Sequence, residues 1–313
     1  MAAAMSATHD HGHSHSHGLA PIEGVRGGAF AVAVGLNIVF VIAETVAGLT
    51  SGSVALLADA GHNFSDVLAL LLAWGASILA ARPPSVRFTY GLKSSSILAA
   101  IANAALLWVA IGAILVETLR RLTDPAPVAA GPMIVVAAIG IAVNGISAFF
   151  FARGRKSDLN VRAAFQHLLA DAAVSAGVVV AGFGVMFTGA RWIDPATSLA
   201  ITAIIALGSW GLLRDALKLG MLGVPAGIDH GAVRGFLAAQ PGVSAVHDLH
   251  IWPMSTTETA LTAHLVIPSG YPGDDFLHHL AHELEHDFGI GHATVQVETR
   301  AGTECALDCE AVV

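Results

Sequence analysis

Ser53-Val54-Ala55-Leu56-Leu57-Ala58-Asp59-Ala60-Gly61-His62-Asn63-Phe64-Ser65-Asp66 decides how this chain is read. The run continues in apolar residues to Ala80, about the ~20 residues a helix needs to cross a ~30 Å bilayer core. Yet it carries His62 and Asp66, four positions apart and so on one helix face. An Asp at mid-membrane costs roughly 2.5–3.5 kcal/mol on insertion scales, so such a residue faces a cavity, a partner or a ligand.

The pattern recurs about 100 residues later. Gln166-His167-Leu168-Leu169-Ala170-Asp171 again sets His and Asp four apart in an apolar run. If the two helices face each other, they offer two imidazoles and two carboxylates. That four-ligand set suits tetrahedral Zn²⁺. The plainer alternative is two unrelated polar pairs that satisfy each other or the backbone. Duplicated ionisable pairs at membrane depth weigh against it. Asp59, one turn before His62, adds a carboxylate to the ion's entry path, snorkels, or hydrogen-bonds a neighbour. Asn37, Glu44 and Asn144 fit hydrogen bonding between helices.

Six apolar stretches are long enough to span, near 28–49, 54–80, 96–118, 131–152, 162–187 and 196–217. Between them lie turn-forming or charged segments such as Thr50-Ser51-Gly52-Ser53, Arg82-Pro83-Pro84 and Asp124-Pro125-Ala126-Pro127. Only 12% of the 313 residues are charged and 55% are hydrophobic. A soluble domain averages about 25% charged residues, so lipid is the solvent for much of the chain. The net charge of −8 argues against a nucleic-acid partner. No cleavable signal is expected, because no basic segment leads directly into an apolar run at the N-terminus. With both termini in the cytoplasm, Arg26, Arg82, Arg87, Lys93, Arg153, Arg155, Lys156, Arg162, Arg214 and Lys218 fall inside. Only Arg120, Arg121 and Arg191 fall outside, as the positive-inside bias expects. The expected location is the cell (inner or plasma) membrane.

Past residue 219 the pattern becomes that of a small soluble domain. A helix over 229–239, strands over 243–252 and 258–267, an amphipathic helix over 276–288 and a strand over 292–299 give the order αββαβ. This is a two-layer α+β arrangement of ferredoxin-like type. The expected organisation is a His-rich N-terminal segment (1–25), a six-helix membrane domain (26–218), a cytoplasmic α+β domain (219–300) and a Cys-containing tail (301–313).

Several polar clusters lie outside the spans. His282-Glu283-Leu284-Glu285-His286-Asp287-Phe288-Gly289-Ile290-Gly291-His292 matches HExxHxxGxxH, the zinc signature of one protease class. A membrane-bound metalloprotease is therefore the alternative function. No Met follows Met254, so the required Met-turn is missing, and only about 60 residues separate the last span from His282. Gly289 also serves as a helix stop, and His278, His282 and His286 as a solvated stripe. The protein is read as not an enzyme. His247, His264 and Glu298 fall on strands that a small sheet can bring together, and form a second metal candidate. Ordinary edge-strand polarity is its alternative. His250 and His292 are weaker candidates. The only cysteines, Cys305 and Cys309, form no disulfide framework. The run from His9 to His17, with His at every second position, can bind Zn²⁺ weakly.

Residues 53–66 resemble the second helix of the cation diffusion facilitator family, and residues 158–171 its fifth. Asp194-Pro195 and Val246-His247-Asp248-Leu249-His250-Ile251-Trp252 also resemble family segments. The likeness spans about residues 26–300. It implies a homodimeric exporter of divalent metal, Zn²⁺ above all with Cd²⁺ and Co²⁺ as further candidates, coupled to proton entry by alternating access. It implies zinc selectivity where His62 stands, Asp at that position also admitting cadmium. It further implies a regulatory zinc at His247, His264 and Glu298 near the dimer interface. Cys305 and Cys309 are similar to a cysteine pair ending some members, but with CxxxC rather than CxxC spacing. Members with an extra site between the second and third helices use His there. None stands between Ala80 and Lys93 here, so no such site is expected.

Overall fold

The computed structural model describes residues 27–151 and 159–299. The N-terminal His run, Cys305 and Cys309 lie outside the described residues. Six long helices come first: α1 (Gly27–Ser51), α2 (Val54–Ala80), α3 (Ser95–Thr123), α4 (Ala130–Phe151), α5 (Leu159–Thr188) and α6 (Ile193–Gly220). All are long enough to cross a bilayer core at 1.5 Å per residue. Large apolar side chains point outward along them, Trp74, Val109, Phe149, Phe187 and Leu207 among them. In water that surface would be costly; in lipid it is the expected exterior. This is a multi-pass membrane domain.

Inside the bundle Leu56, Met133 and Val178 are fully buried. Small residues let the backbones approach. A Cβ on Gly182 would stand 2.5 Å from Ile134 Cγ1, so α4 and α5 meet where only glycine fits. Helix α2 lies against α1, α3, α5 and α6.

The N-terminus of α2 is held from across the bundle. Ser53 caps it, its Oγ accepting the Leu56 N–H at 3.1 Å. The Asp194 carboxylate of α6 accepts from Ser53 Oγ at 2.5 Å and from the Val54 N–H at 2.8 Å. Fully buried, Asp194 sits at the positive end of the α2 dipole. Pro195 falls in the first turn of α6, where its missing N–H costs nothing. The sequence places the end of the third span near 118, but α3 runs to Thr123. Charge there does not end the helix: Arg121 pairs with Glu117 at 2.8 Å and reaches the Gly52 carbonyl at the head of α2.

The soluble domain follows as α7 (His230–Ala238), β1 (Ala245–Pro253), β2 (Thr259–Val266), α8 (Asp274–Phe288) and β3 (His292–Glu298). Its sheet order is β1-β2-β3, with β1–β2 antiparallel and β2–β3 parallel. This is the α+β architecture that the sequence predicts. Helix α8 ends at Gly289 with φ +68, where the Ile290 N–H returns to the Leu284 carbonyl at 3.0 Å. Leu280 and Leu284 of α8 are buried with Leu237, Leu261, Leu265 and Ile267. Each such side chain contributes about 1.5–3 kcal/mol of burial.

The tip of the β1–β2 hairpin touches the start of α3. Glu258 pairs with Lys93, Ser94 Oγ donates to the Met254 carbonyl at 3.1 Å, and the Thr256 N–H donates to Ser96 Oγ at 3.1 Å.

Candidate metal centres

Three residue pairs fix how α2 and α5 face each other. Asp59 meets Ser175, His62 meets Asp171, and Asp66 meets His167. As the number rises on α2 it falls on α5, so the two helices run antiparallel with their polar residues on the shared seam. Steps of three or four along each helix keep all six residues on that seam.

The ligand geometry follows. His62 Nε2 lies 3.4 Å from an Asp171 oxygen and 3.8 Å from an Asp66 oxygen. His167 Nε2 lies 3.3 Å from Asp66 and 3.5 Å from Asp171. The rings meet edge to face with centroids 5.9 Å apart. One donor atom from each of the four lies within 4.8 Å of all the others. Bond lengths of about 2.0–2.1 Å put tetrahedral donors about 3.3–3.4 Å apart, and the two shortest measured pairs, His167–Asp66 and His62–Asp171, match that edge. The Asp171 side chain is 6% exposed and that of Asp66 37%, giving the cluster a closed end and an open one. With neutral imidazoles the quartet carries two negative charges, which a dication cancels. In a medium of low dielectric that cancellation decides which ion can rest there.

Asp59 does not join this group. It is fully buried, and its Oδ2 accepts from Ser175 Oγ at 2.9 Å. Of the roles open to it, the structure displays the hydrogen bond to a neighbour. Glu44 of α1, also fully buried, accepts from Asn63 Nδ2 at 3.0 Å, a bond between helices as expected.

A second group lies in the sheet. The strand register sets His247 opposite His264, and Val266 opposite Glu298. His247 Nε2 is 3.2 Å from Glu298 Oε2, and His264 Nδ1 is 3.0 Å from Glu298 Oε1. Side-chain exposures of 10–18% make this a shielded cluster. Sequence reasoning missed Asp248. A bulge between His247 and His250 gives it φ +49, and its carboxylate then lies 3.4 Å from His264 Nε2 and 2.9 Å from His250 Nε2. Alternation along a regular strand would have sent it to the other face.

His250 therefore pairs with Asp248, and His292 lies outside the cluster with its ring edge-on to Tyr90. The protease-like run does not converge either. The His282 and His286 side chains are 73% and 76% exposed on α8, and the stacked rings lie beside Glu283 and Asp287. Among the described residues, neither metal-competent group of three or more side chains includes any of this run. Asp287 Oδ1 lies 2.7 Å from His286 Nδ1 and raises the pKa of that imidazole above its usual value.

Fold and clusters together define a multi-pass membrane protein with a metal-competent polar seam and a metal-competent soluble domain. The family model described as the cation efflux transmembrane domain matches residues 30–219, and that of the cation efflux protein cytoplasmic domain matches residues 225–300. The chain belongs to the cation efflux family; it is a metal-cation efflux transporter and not an enzyme. It is 36% identical over 268 residues to the cation efflux system protein CzcD of Alcaligenes sp., covering 85% of each chain. It is 33% identical over 267 residues to the cadmium, cobalt and zinc/H(+)-K(+) antiporter of Bacillus subtilis, covering 84% of this chain and 86% of that one. A solved metal-bound C-terminal domain of the CzcD transporter from Cupriavidus metallidurans is 36% identical, spans 23% of this chain and 99% of its own, and has a TM-score of 0.22.

Proposed function

We propose that this transporter exports Zn²⁺ from the cytoplasm in exchange for protons, with the ion carried by His62, Asp66, His167 and Asp171. The observation that carries this reading is the spacing of the quartet: four donors of the N₂O₂ kind zinc prefers, from two helices, within 4.8 Å of one another. The name of the Bacillus subtilis relative, which couples zinc, cadmium and cobalt to protons and potassium, supports both the ion class and the exchange.

Proton coupling follows from the ligands. Neutral imidazole offers a lone pair to a metal; imidazolium has none. An unperturbed His pKa near 6.5 lets protons compete with Zn²⁺ at ordinary pH. Opened to the cytoplasm, the quartet sheds protons and takes the ion. Opened to a more acidic exterior, it takes protons and sheds the ion. Helix α2 stands on one side of the seam and α5 on the other, so rocking of one against the other exposes the quartet to each side in turn.

The chain divides in this account into a His-rich segment (1–25), a transport domain (26–218), a cytoplasmic domain (219–300) and a tail (301–313). The Lys and Arg distribution supports a cell-membrane orientation with both termini in the cytoplasm. His247, His264 and Glu298 hold a regulatory Zn²⁺ on the cytoplasmic domain, through which two copies pair as a homodimer. The run from His9 to His17 can bind Zn²⁺ weakly and raise its concentration at the cytoplasmic mouth.

Metal uptake into inverted vesicles under an imposed pH gradient tests the reading, with Zn²⁺, Cd²⁺, Co²⁺ and Mn²⁺ compared. Zn²⁺ flux should depend on the gradient and fall at least ~100-fold in Asp171→Ala, which leaves three ligands where four are needed. Undiminished zinc flux in Asp171→Ala, or flux indifferent to the gradient, would rule it out.

A further inference from the structure

Beside the quartet, His62 Nδ1 is buried with no hydrogen-bond partner. Asp59 precedes His62 by three positions, one turn along the same face of α2. Its Oδ2 is fixed across the seam by Ser175, which lies one turn beyond Asp171 on α5. Glu44 lies within hydrogen-bonding reach of Asp59 from α1, and Asn63 ties Glu44 back to α2. A second polar layer thus crosses the same helices as the quartet, one turn deeper, and its central carboxylate lies between the Ser175 hydroxyl and the Glu44 carboxyl.

An imidazole that ligates a metal through Nε2 carries its proton on Nδ1. Metal-bound histidines almost always donate that N–H to a carboxylate, carbonyl or water, which fixes the ring and makes it a better ligand. The bundle buries His62 Nδ1 without a partner, one turn along α2 from the Asp59 carboxylate. A buried donor left without an acceptor is costly. Ion binding that turns the ring toward Asp59 satisfies it.

We propose that Asp59 is a positioning residue for the transported ion, its carboxylate taking the Nδ1–H of His62 once Nε2 of that ring holds the metal. Glu44, Asn63 and Ser175 hold Asp59 at that place. This rests on the quartet being the transport site, and adds to it a carboxylate that touches no ion. His62 on α2 then has an outer carboxylate one turn away. Ordering of the His62 ring therefore accompanies loading.

The test uses the full-length protein in lipid nanodiscs, labelled with ¹⁵N at histidine and titrated with Zn²⁺. In the loaded wild type a His62 Nδ1–H resonance should appear at the low field of a carboxylate-bonded imidazole. In Asp59→Asn that resonance should move upfield, and Zn²⁺ affinity at the membrane site should weaken about 10–100-fold with its stoichiometry kept. Wild-type affinity and an unmoved resonance in Asp59→Asn would overturn the proposal, and would leave the quartet standing. Full zinc binding at the membrane site in Asp171→Ala would instead sink the quartet itself. If Asp59→Asn does not fold, the zinc-loaded wild-type structure decides. His62 Nδ1 must lie within about 3.2 Å of an Asp59 oxygen, and a longer gap overturns the proposal.

Discussion

The membrane quartet and the sheet cluster use the same chemistry, imidazole and carboxylate, on different supports. The quartet hangs from two helices that touch along one seam, with donor pairs 3.3–3.8 Å apart. The sheet cluster sits on three strands locked by ladder hydrogen bonds, with pairs at 3.0 and 3.2 Å. Helices slide and tilt as bodies; hydrogen-bonded strands do not separate without losing the ladder. A site that must release its ion belongs on the first kind of support, and one that must keep it belongs on the second. Burial points the same way: the quartet has an open end at Asp66 and His167, whereas every member of the sheet cluster is at most 18% exposed.

The sharpest way to break this contrast is to change selectivity in one site alone. His62→Asp removes an imidazole that suits Zn²⁺, and the family resemblance implies that Asp at this position also admits Cd²⁺. We expect the ratio of Cd²⁺ to Zn²⁺ flux to rise about 10-fold or more, a difference of roughly 1.4 kcal/mol in discrimination. Competitive uptake of the two ions measures it; an unchanged ratio would show that His62 does not set selectivity.

A smaller effect is expected from the sheet. Glu298→Gln removes the carboxylate that faces both imidazoles, so equilibrium dialysis should find one fewer tightly bound Zn²⁺ per chain. Transport should fall only several-fold, because the quartet is intact. Loss of flux as complete as in Asp171→Ala would mean the sheet cluster lies on the ion's route.

The smallest expected effect lies on the exposed face of α8. The Asp287 carboxylate favours protonated His286, so the folded imidazole titrates above its usual range. The sign is that of a raised pKa: any stabilisation is present below the unfolded value and fades as pH rises through the folded one. His286 is exposed, so stability should scarcely move. A histidine NMR titration should show the raised midpoint and its return toward the usual value in Asp287→Asn.

How far the sequence could be read follows the same divide between local and distant contacts. The six spans and the quartet are legible because a spacing of four on an apolar helix is local information, and two copies of it imply a meeting point. The sheet residues are legible as polar residues on strands that one small sheet can bring together. Asp248 was not, because its orientation depends on a bulge with φ +49 that no alternation rule announces. Nor was the Asp59–Ser175–Glu44 layer, which needs the packing of α1, α2 and α5 to be known. Asp194 stood out as a family-like Asp-Pro, but its role in capping a helix 140 residues earlier in the chain emerges only in three dimensions.

Anomalous scattering at the zinc edge from the zinc-loaded, full-length protein tests the central claim most directly. The account predicts one zinc between α2 and α5, bound by His62, Asp66, His167 and Asp171, with a second in the sheet at His247, His264 and Glu298. Zinc in the sheet and none within bonding distance of the four membrane side chains would contradict it.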